Sequence, residues 1–384
     1  MKPLSEVVLS TPPSGIRRFF DLVAEMDDVI SLGVGEPDYV TPWRIREAAI
    51  FSLEKGFTTY TSNYGLLELR REIAHHQHDR AGLIYDPARE ILVTVGVSEA
   101  LDTAFRALLN PGDEVLVAEP CYVSYMACVR FAGGCPVPIP TRAENQFRVQ
   151  VADVASRITP RTKAILLSYP SNPTGATMTR EGLQAIVDLA VAHDLYILTD
   201  EIYERLSYDA PHVSVAALPG AQERTILLNG FSKAYAMTGW RIGYACAPAP
   251  IIDAMLKIHA YTMLCAPITA QIAAIEALKH GERDVQEMVA DYDRRRRLLV
   301  KGLNDLGLDC PLPGGAFYAF PSIERTGLTA EEFAERLLHE QRVLVVPGPA
   351  FGAGGVGHVR CCYATATDKL NEALVRIGRF LETI

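Results

Sequence analysis

Lys233 stands in the run Phe231-Ser232-Lys233-Ala234-Tyr235-Ala236-Met237-Thr238-Gly239-Trp240-Arg241-Ile242-Gly243-Tyr244, where small, apolar and aromatic neighbours leave little polar surface around its amine. With Arg241 following in the same run, this setting suits a lysine that forms a covalent imine beside a phosphate held by the arginine. The competing assignment is an exposed lysine on an amphipathic helix. Two further groups fit the imine chemistry. Asn172-Pro173-Thr174-Gly175 follows the apolar run Ala164 to Ser168, and Asp200-Glu201-Ile202-Tyr203 follows the apolar run Tyr196 to Thr199. Taken singly, the first reads as a common turn and Asp200 as a helix cap. Together with Lys233 they place an amide, a carboxylate with a nearby phenol, and an amine followed by a guanidinium at three strand ends of one sheet, where open α/β sheets bind ligands.

The elements that must position these groups alternate through the middle of the chain. Short apolar runs at Glu90 to Val95, Glu114 to Ala118, Ala164 to Ser168, Tyr196 to Thr199, Thr225 to Leu228 and Gly243 to Ala247 read as buried strands. Amphipathic stretches at Ser98 to Leu109, Arg180 to His193 and Ala249 to Ala260 read as helices between them. Continuous apolar strands predict a mostly parallel sheet covered on both faces. After about residue 280 a charged helix, Arg283 to Leu306, leads into the turn Pro311-Leu312-Pro313-Gly314-Gly315. Phe317 to Phe320, a helix Ala330 to Glu340 and strands near Val343 to Val346 and His358 to Tyr363 follow. The fold class expected is α/β, a large domain (46–280) with a mostly parallel seven-stranded sheet covered by helices. A smaller α+β domain is expected to be formed by both chain ends (1–45 and 281–384).

The spaced set resembles the class I pyridoxal-phosphate aminotransferases of fold type I, the fold shared with aspartate aminotransferase, and most of all a prokaryotic subgroup acting on aspartate or aromatic amino acids. The likeness runs from Gly33-Val34-Gly35-Glu36-Pro37-Asp38 through Tyr60 to Arg70, Asn172 to Gly175, Asp200 to Tyr203 and Lys233 to Tyr244, ending at Val359-Arg360. It implies pyridoxal 5'-phosphate as cofactor, with Lys233 as aldimine partner and proton carrier. Asp200 would sit on the pyridine nitrogen, Tyr203 and Asn172 on the 3' oxygen, and Arg241 on the phosphate. Val97 and Ser98, opening a helix after Gly96, and Ser232 would complete the phosphate cup. Tyr122 would stack on the cofactor, with Ile202 on its other face. Arg360 would clamp the substrate α-carboxylate with help from Gly35 and Asn172. Tyr60 would reach the phosphate of the neighbouring subunit, which makes a homodimer part of the expectation. One departure stands out: the position three before the lysine, often serine or threonine in the family, is Gly230. The activity implied is transfer of the α-amino group of an L-amino acid to a 2-oxo acid such as 2-oxoglutarate, with an aromatic, aspartate or broad donor. A pyridoxal-phosphate carbon–sulfur β-lyase can share the same site residues.

Size and charge agree with such an enzyme. The 384 residues are 49% hydrophobic and carry a formal net charge of -9, which disfavours nucleic acid and anionic membranes as partners. The cluster Arg294 to Arg297, close behind Asp291 and Asp293, reads as a solvated helix face. Gly352-Ala353-Gly354-Gly355-Val356-Gly357 imitates a nucleotide loop in composition but opens no helix, and reads as a flexible loop. The eight cysteines show no C-x-x-C pairing for a metal or redox site. No signal peptide or membrane span is evident, so the cytoplasm is the expected location. A cofactor-sensing regulator would need a DNA-binding module before the family-like sequence, which starts by about Ser14.

Overall fold

The structure, a computed structural model, describes residues 2–13, 15 and 26–384. Ser14, the expected start of family-like sequence, and parts of the expected 1–45 segment lie outside the described residues. Numbered in chain order, the strands of the large sheet are β2 (Ile91–Thr94), β3 (Glu114–Glu119), β4 (Cys135–Pro140), β5 (Thr162–Ser168), β6 (Tyr196–Asp200), β7 (Thr225–Gly230) and β8 (Gly243–Cys246). Their order across the sheet is β2-β8-β7-β6-β5-β3-β4. β8 runs antiparallel to both of its neighbours, and every other pairing joins parallel strands. The expected fold class is therefore the one observed, seven strands and mostly parallel. β2, β7 and β8 are buried along their whole length, as a sheet covered on both faces requires.

The seventh strand is the one sequence patterning passed over. In Cys135-Pro136-Val137-Pro138-Ile139-Pro140 every second residue lacks an N–H, which rules out a central position. β4 accordingly lies at the edge and pairs with β3 alone.

Register explains how the sheet builds a site. Ser168 at the end of β5 lies level with Asp200 at the end of β6, and Asp200 lies level with Leu228 near the end of β7. The chain leaves β3 outward to β4 and returns on the other side to β5. The carboxyl ends of β3 and β5 thus flank a topological switch point, where a crevice opens.

A three-stranded antiparallel sheet contains β11 (Val346–Pro347), β12 (Val359–Cys362) and β9 (Tyr318–Ala319) in that order, and β1 (Ile30–Ser31) pairs in parallel with β10 (Val343–Leu344). The expected strand Val343 to Val346 is therefore split, its two ends joining different sheets. The pairing of Ile30 with Val343 ties a segment near the start of the chain to one near its end.

One expectation fails in this part of the chain. Arg294 and Arg297 are exposed, but Arg295 and Arg296 on the helix Glu282–Asp305 are buried, so the basic cluster is not a solvated face. Arg296 pairs with Asp209 at 2.7 Å and with Asp293 at 2.5 Å, donates to the Pro313 carbonyl at 2.6 Å, and lies 4.5 Å over the Tyr208 ring. The two buried arginines thus reach outward to partly exposed carboxylates, Arg295 to Asp38 and Asp291 and Arg296 to Asp209 and Asp293, which compensate their charge. The glycine-rich run 352–357 is tightly turned at Gly355, while Ala353 and Val356 face solvent. It contains the 3-10 turn Ala353–Gly355, and a β-carbon on Gly355 would lie 2.0 Å from the Gly348 carbonyl oxygen.

Candidate active site

A cleft of about 1010 Å³ opens at the carboxyl ends of the central strands. It gathers Lys233, Asp200, Tyr203, Asn172, Arg241, Tyr122, Ile202, Val97, Ser98, Ser232, Gly35 and Arg360, all expected site residues. Tyr60 does not line it; its side chain is 82% exposed on the surface of the same chain.

Asp200 ends β6 inside the protein, where desolvation raises its pKa from 3.8 to about 6. The Tyr125 hydroxyl donates to it at 2.7 Å and the Ile202 N–H at 3.2 Å, both holding the rise down. A buried carboxylate met only by neutral donors is a seat for a cation. Lys233, in the loop after β7, is shifted the other way: burial lowers its pKa from 10.5 to about 8. Its Nζ donates to the Gly35 carbonyl at 2.6 Å and lies 5.7 Å from the Phe317 ring centroid. An amine so shifted is partly neutral near pH 8 and can act as nucleophile and base.

The anion-binding end is built from backbone and one guanidinium. Gly96 caps the helix Val97–Leu108 with φ +77°, a conformation that disfavours any side chain, and a β-carbon there would sit 2.8 Å from Arg241 Nη2. The first-turn N–H groups of a helix have no intrahelical acceptor, so Val97 and Ser98 bring donors and a positive dipole end to the cleft beside Arg241. Arg241 itself adopts φ +53° and donates to the Thr238 carbonyl at 3.1 Å. At Gly230 the space is tight: a β-carbon there would lie 3.0 Å from the Gly243 Cα and 3.1 Å from the Ile242 carbonyl oxygen. A serine or threonine there would press on β8 by a few tenths of an ångström, and Ser232 is the hydroxyl nearest in sequence that lines the cleft.

At the opposite end Arg360, on β12, is 2% exposed. It donates to Asn172 Oδ1 at 2.8 Å and to the Gly33 carbonyl at 2.6 Å, while its Nε is buried with no hydrogen-bond partner. A guanidinium with an unused buried donor is prepared for a carboxylate.

Sequence reasoning missed Tyr125 and Tyr318. Tyr125 packs edge-on against Tyr122 at 5.6 Å, orienting that ring while its hydroxyl holds Asp200 and, at 2.8 Å, Ser168. Tyr318 bonds Tyr203 hydroxyl to hydroxyl at 2.7 Å, and its ring lies 4.4 Å from the Arg360 guanidinium carbon. In sequence both look like core aromatics. Only the pairing of β9 with β12, opposite Cys362 and near Arg360, brings Tyr318 to the cleft.

The donor set fits pyridoxal phosphate: a helix end and an arginine for a phosphate, an acid for a protonated ring nitrogen, a phenol and an amide for a ring oxygen, and a softened amine for an aldehyde.

The family profile described as aminotransferase class I and II matches residues 27–377. The chain is 55% identical over 378 residues to the putative aminotransferase YugH of Bacillus subtilis, covering 98% of each protein. It is 47% identical to an aspartate aminotransferase of Pyrococcus abyssi over 96% of each. The crystal structure of an aromatic aminotransferase from Pyrococcus horikoshii superposes with a TM-score of 0.92 at 47% identity, covering 96% of this chain and 99% of that one.

Proposed function

The chain belongs to the class I and II aminotransferase family and is an amino-group-transferring enzyme, and on that premise we propose a cofactor, a set of residue roles and a substrate range for it. The cofactor is pyridoxal 5'-phosphate, held in the cleft, and the acceptor is 2-oxoglutarate. The donor is an L-amino acid of aromatic, aspartate or broad type. The observation that carries this reading is the opposed shift of two buried groups in one cleft, Asp200 up to about 6 and Lys233 down to about 8.

When bound, the cofactor supplies an aldehyde that takes up the substrate nitrogen and an electron-withdrawing ring that stabilises charge at the α-carbon. Asp200 keeps a proton on the ring nitrogen, because its buried carboxylate is itself stabilised by that cation. Lys233 Nζ, partly neutral at working pH, takes the α-proton of the donor and gives it up again within the same site. Arg360 fixes the α-carboxylate common to donor and acceptor, using the Nε that has no partner within the protein. Arg241, Val97, Ser98 and Ser232 hold the phosphate. Tyr203 and Asn172 bond the ring oxygen, and Tyr122 and Ile202 cover the two ring faces.

The same reading assigns 46–280 to a cofactor-binding unit and 1–45 with 281–384 to a smaller one that carries Arg360. It makes the protein a homodimer in which Tyr60 completes the neighbouring site. Tyr60 is exposed, and so are Trp43, Phe51 and Phe57 close to it in sequence, an apolar set that a second copy would cover. No helix among the described residues is long and apolar enough to cross a membrane, and we place the enzyme in the cytoplasm.

The test is a survey of common amino donors with 2-oxoglutarate, following glutamate formation, alongside cystathionine with detection of pyruvate and ammonia. Glutamate formation without elimination supports the reading; pyruvate and ammonia release without amino transfer overturns it in favour of a β-lyase.

A further inference from the structure

Tyr318 is 1% exposed, yet its hydroxyl and its ring each meet a different part of the proposed machinery. β9 and β12 pair antiparallel with Tyr318 opposite Cys362, so Arg360, two residues along the same face of β12, is its diagonal neighbour. The Tyr318 ring supports the Arg360 guanidinium at 4.4 Å, and its hydroxyl lies 2.7 Å from that of Tyr203. Space for that hydroxyl exists because residue 35 is glycine; a β-carbon there would lie 2.5 Å from Tyr318 Oη.

A phenol has one proton to donate and two lone pairs to offer. In the Tyr203–Tyr318 bond one hydroxyl donates and the other accepts. If Tyr203 donated to Tyr318, it would turn lone pairs towards the cleft and repel an anionic ring oxygen. If Tyr318 donates, the Tyr203 proton is free for that oxygen, and the two bonds polarise each other in the favourable sense. The titratable and charged groups facing Tyr203 are Tyr318 on β9, Arg360 and Cys362 on β12 and Lys233 after β7. Burial raises the pKa of both phenols, so both keep their protons across the working range.

We propose that Tyr318 is a positioning residue that ties the two ends of the site together: its hydroxyl directs the Tyr203 O–H at the 3' oxygen of the cofactor, and its ring sets the plane in which Arg360 receives the substrate carboxylate. The inference rests on the pyridoxal-phosphate reading of the cleft. It assigns separate duties to the hydroxyl and the ring of one side chain, and two variants separate them. Tyr318→Phe keeps the ring and loses the hydroxyl; Tyr318→Leu loses both.

The experiment is a pH titration of the visible band of the cofactor-loaded enzyme, with donor KM measured on the same preparations. When the lysine–cofactor linkage loses its proton, the ring oxygen keeps its full negative charge and draws most from a well-directed Tyr203 O–H. That bond therefore lowers the midpoint, and weakening it raises the midpoint. Tyr318→Phe is expected to raise it by about 0.5–1 pH unit while donor KM stays within about twofold. Tyr318→Leu is expected to show the same rise together with a KM increase of about 5–10-fold from the lost cation–π support. A Tyr318→Phe midpoint within about 0.2 unit of the parent overturns the hydroxyl's role, and a Tyr318→Leu KM equal to that of Tyr318→Phe overturns the ring's. If Tyr318→Leu fails to fold, the isosteric phenylalanine variant still decides the hydroxyl, and Tyr318→Met, which fills the space without an aromatic face, decides the ring by the same KM comparison. A parent protein that takes up no cofactor overturns the underlying reading, and the inference with it; a loaded parent with an unshifted Tyr318→Phe band overturns the inference alone.

Discussion

Asp200→Asn should stabilise the cofactor-free protein while weakening its hold on the cofactor, and the size of the first effect follows from the structure. The carboxyl is raised from 3.8 to about 6, chiefly by desolvation. An unfolded chain releases this proton near 3.8, whereas the folded protein releases it near 6. Between those values the folded state holds more protons, so stability falls as pH rises and stays lower above about 6. Roughly two units at ~1.4 kcal/mol each give a loss of ~3 kcal/mol between about pH 3 and pH 7. Asparagine carries no such penalty, and its partners can be kept. Its Oδ1 can accept from the Ile202 N–H, and its amide can donate to the Tyr125 oxygen while that hydroxyl turns to Ser168, already 2.8 Å away. Urea denaturation of both cofactor-free proteins at pH 5 and pH 8, at one fixed protomer concentration, reads the difference. The variant should be the more stable by ~3 kcal/mol at pH 8 and by about half that at pH 5, because the parent's carboxyl is already largely ionised in the unfolded chain there. Loaded with pyridoxal phosphate the order should reverse, because only the carboxylate gains a cation on the ring nitrogen. A cofactor-free variant that is less stable than the parent at pH 8, or that shows the parent's pH slope, would refute the argument that burial without a cation raises this acid.

Two further outcomes are expected. Capture of pyridoxal phosphate by the cofactor-free protein, followed by borohydride reduction and peptide mapping, should label Lys233 with a rate that rises with pH to a midpoint near 8, the lowered pKa of its amine; a midpoint near 10.5, or labelling of another lysine, contradicts the assignment. Arg296→Met should cost ~2–4 kcal/mol in urea denaturation, because Asp293 and the Pro313 carbonyl lose a buried donor, while Arg297→Met on the exposed side of the same turn should change stability by no more than ~0.5 kcal/mol.

Most strands of the large sheet were legible because their residues are apolar without interruption, and the charged groups that break the pattern mark the strand ends. Asp200 is visible for that reason: it is the first acid after Tyr196 to Thr199, and parallel register then sets it level with Ser168 and Leu228. β4 was not legible, because three prolines at alternate positions erase strand propensity while remaining compatible with an edge. Arg296 misled for a related reason. Four successive arginines look like a solvated face, and nothing local reveals that Asp209 and the Pro313 carbonyl wait across the fold to receive one of them.

The residues that escaped notice in the site share one property: their roles lie in contacts between segments far apart in the chain, not in any local exception to a pattern. Tyr125 and Tyr318 are aromatic residues where aromatic residues belong, on a helix face and in a short buried strand. Each acts through a hydroxyl whose partner lies 75 or 115 positions away. A buried tyrosine hydroxyl is usually partnered, as a buried acid is, so Tyr125 and Tyr318 each implied a second group that the sequence leaves unnamed. For Asp200 and Tyr203 those partners turn out to be the two missed tyrosines. The acid at the strand end can be read from the chain, but the environment that holds it at about 6, ready for a cation, exists only once the sheet has formed around it.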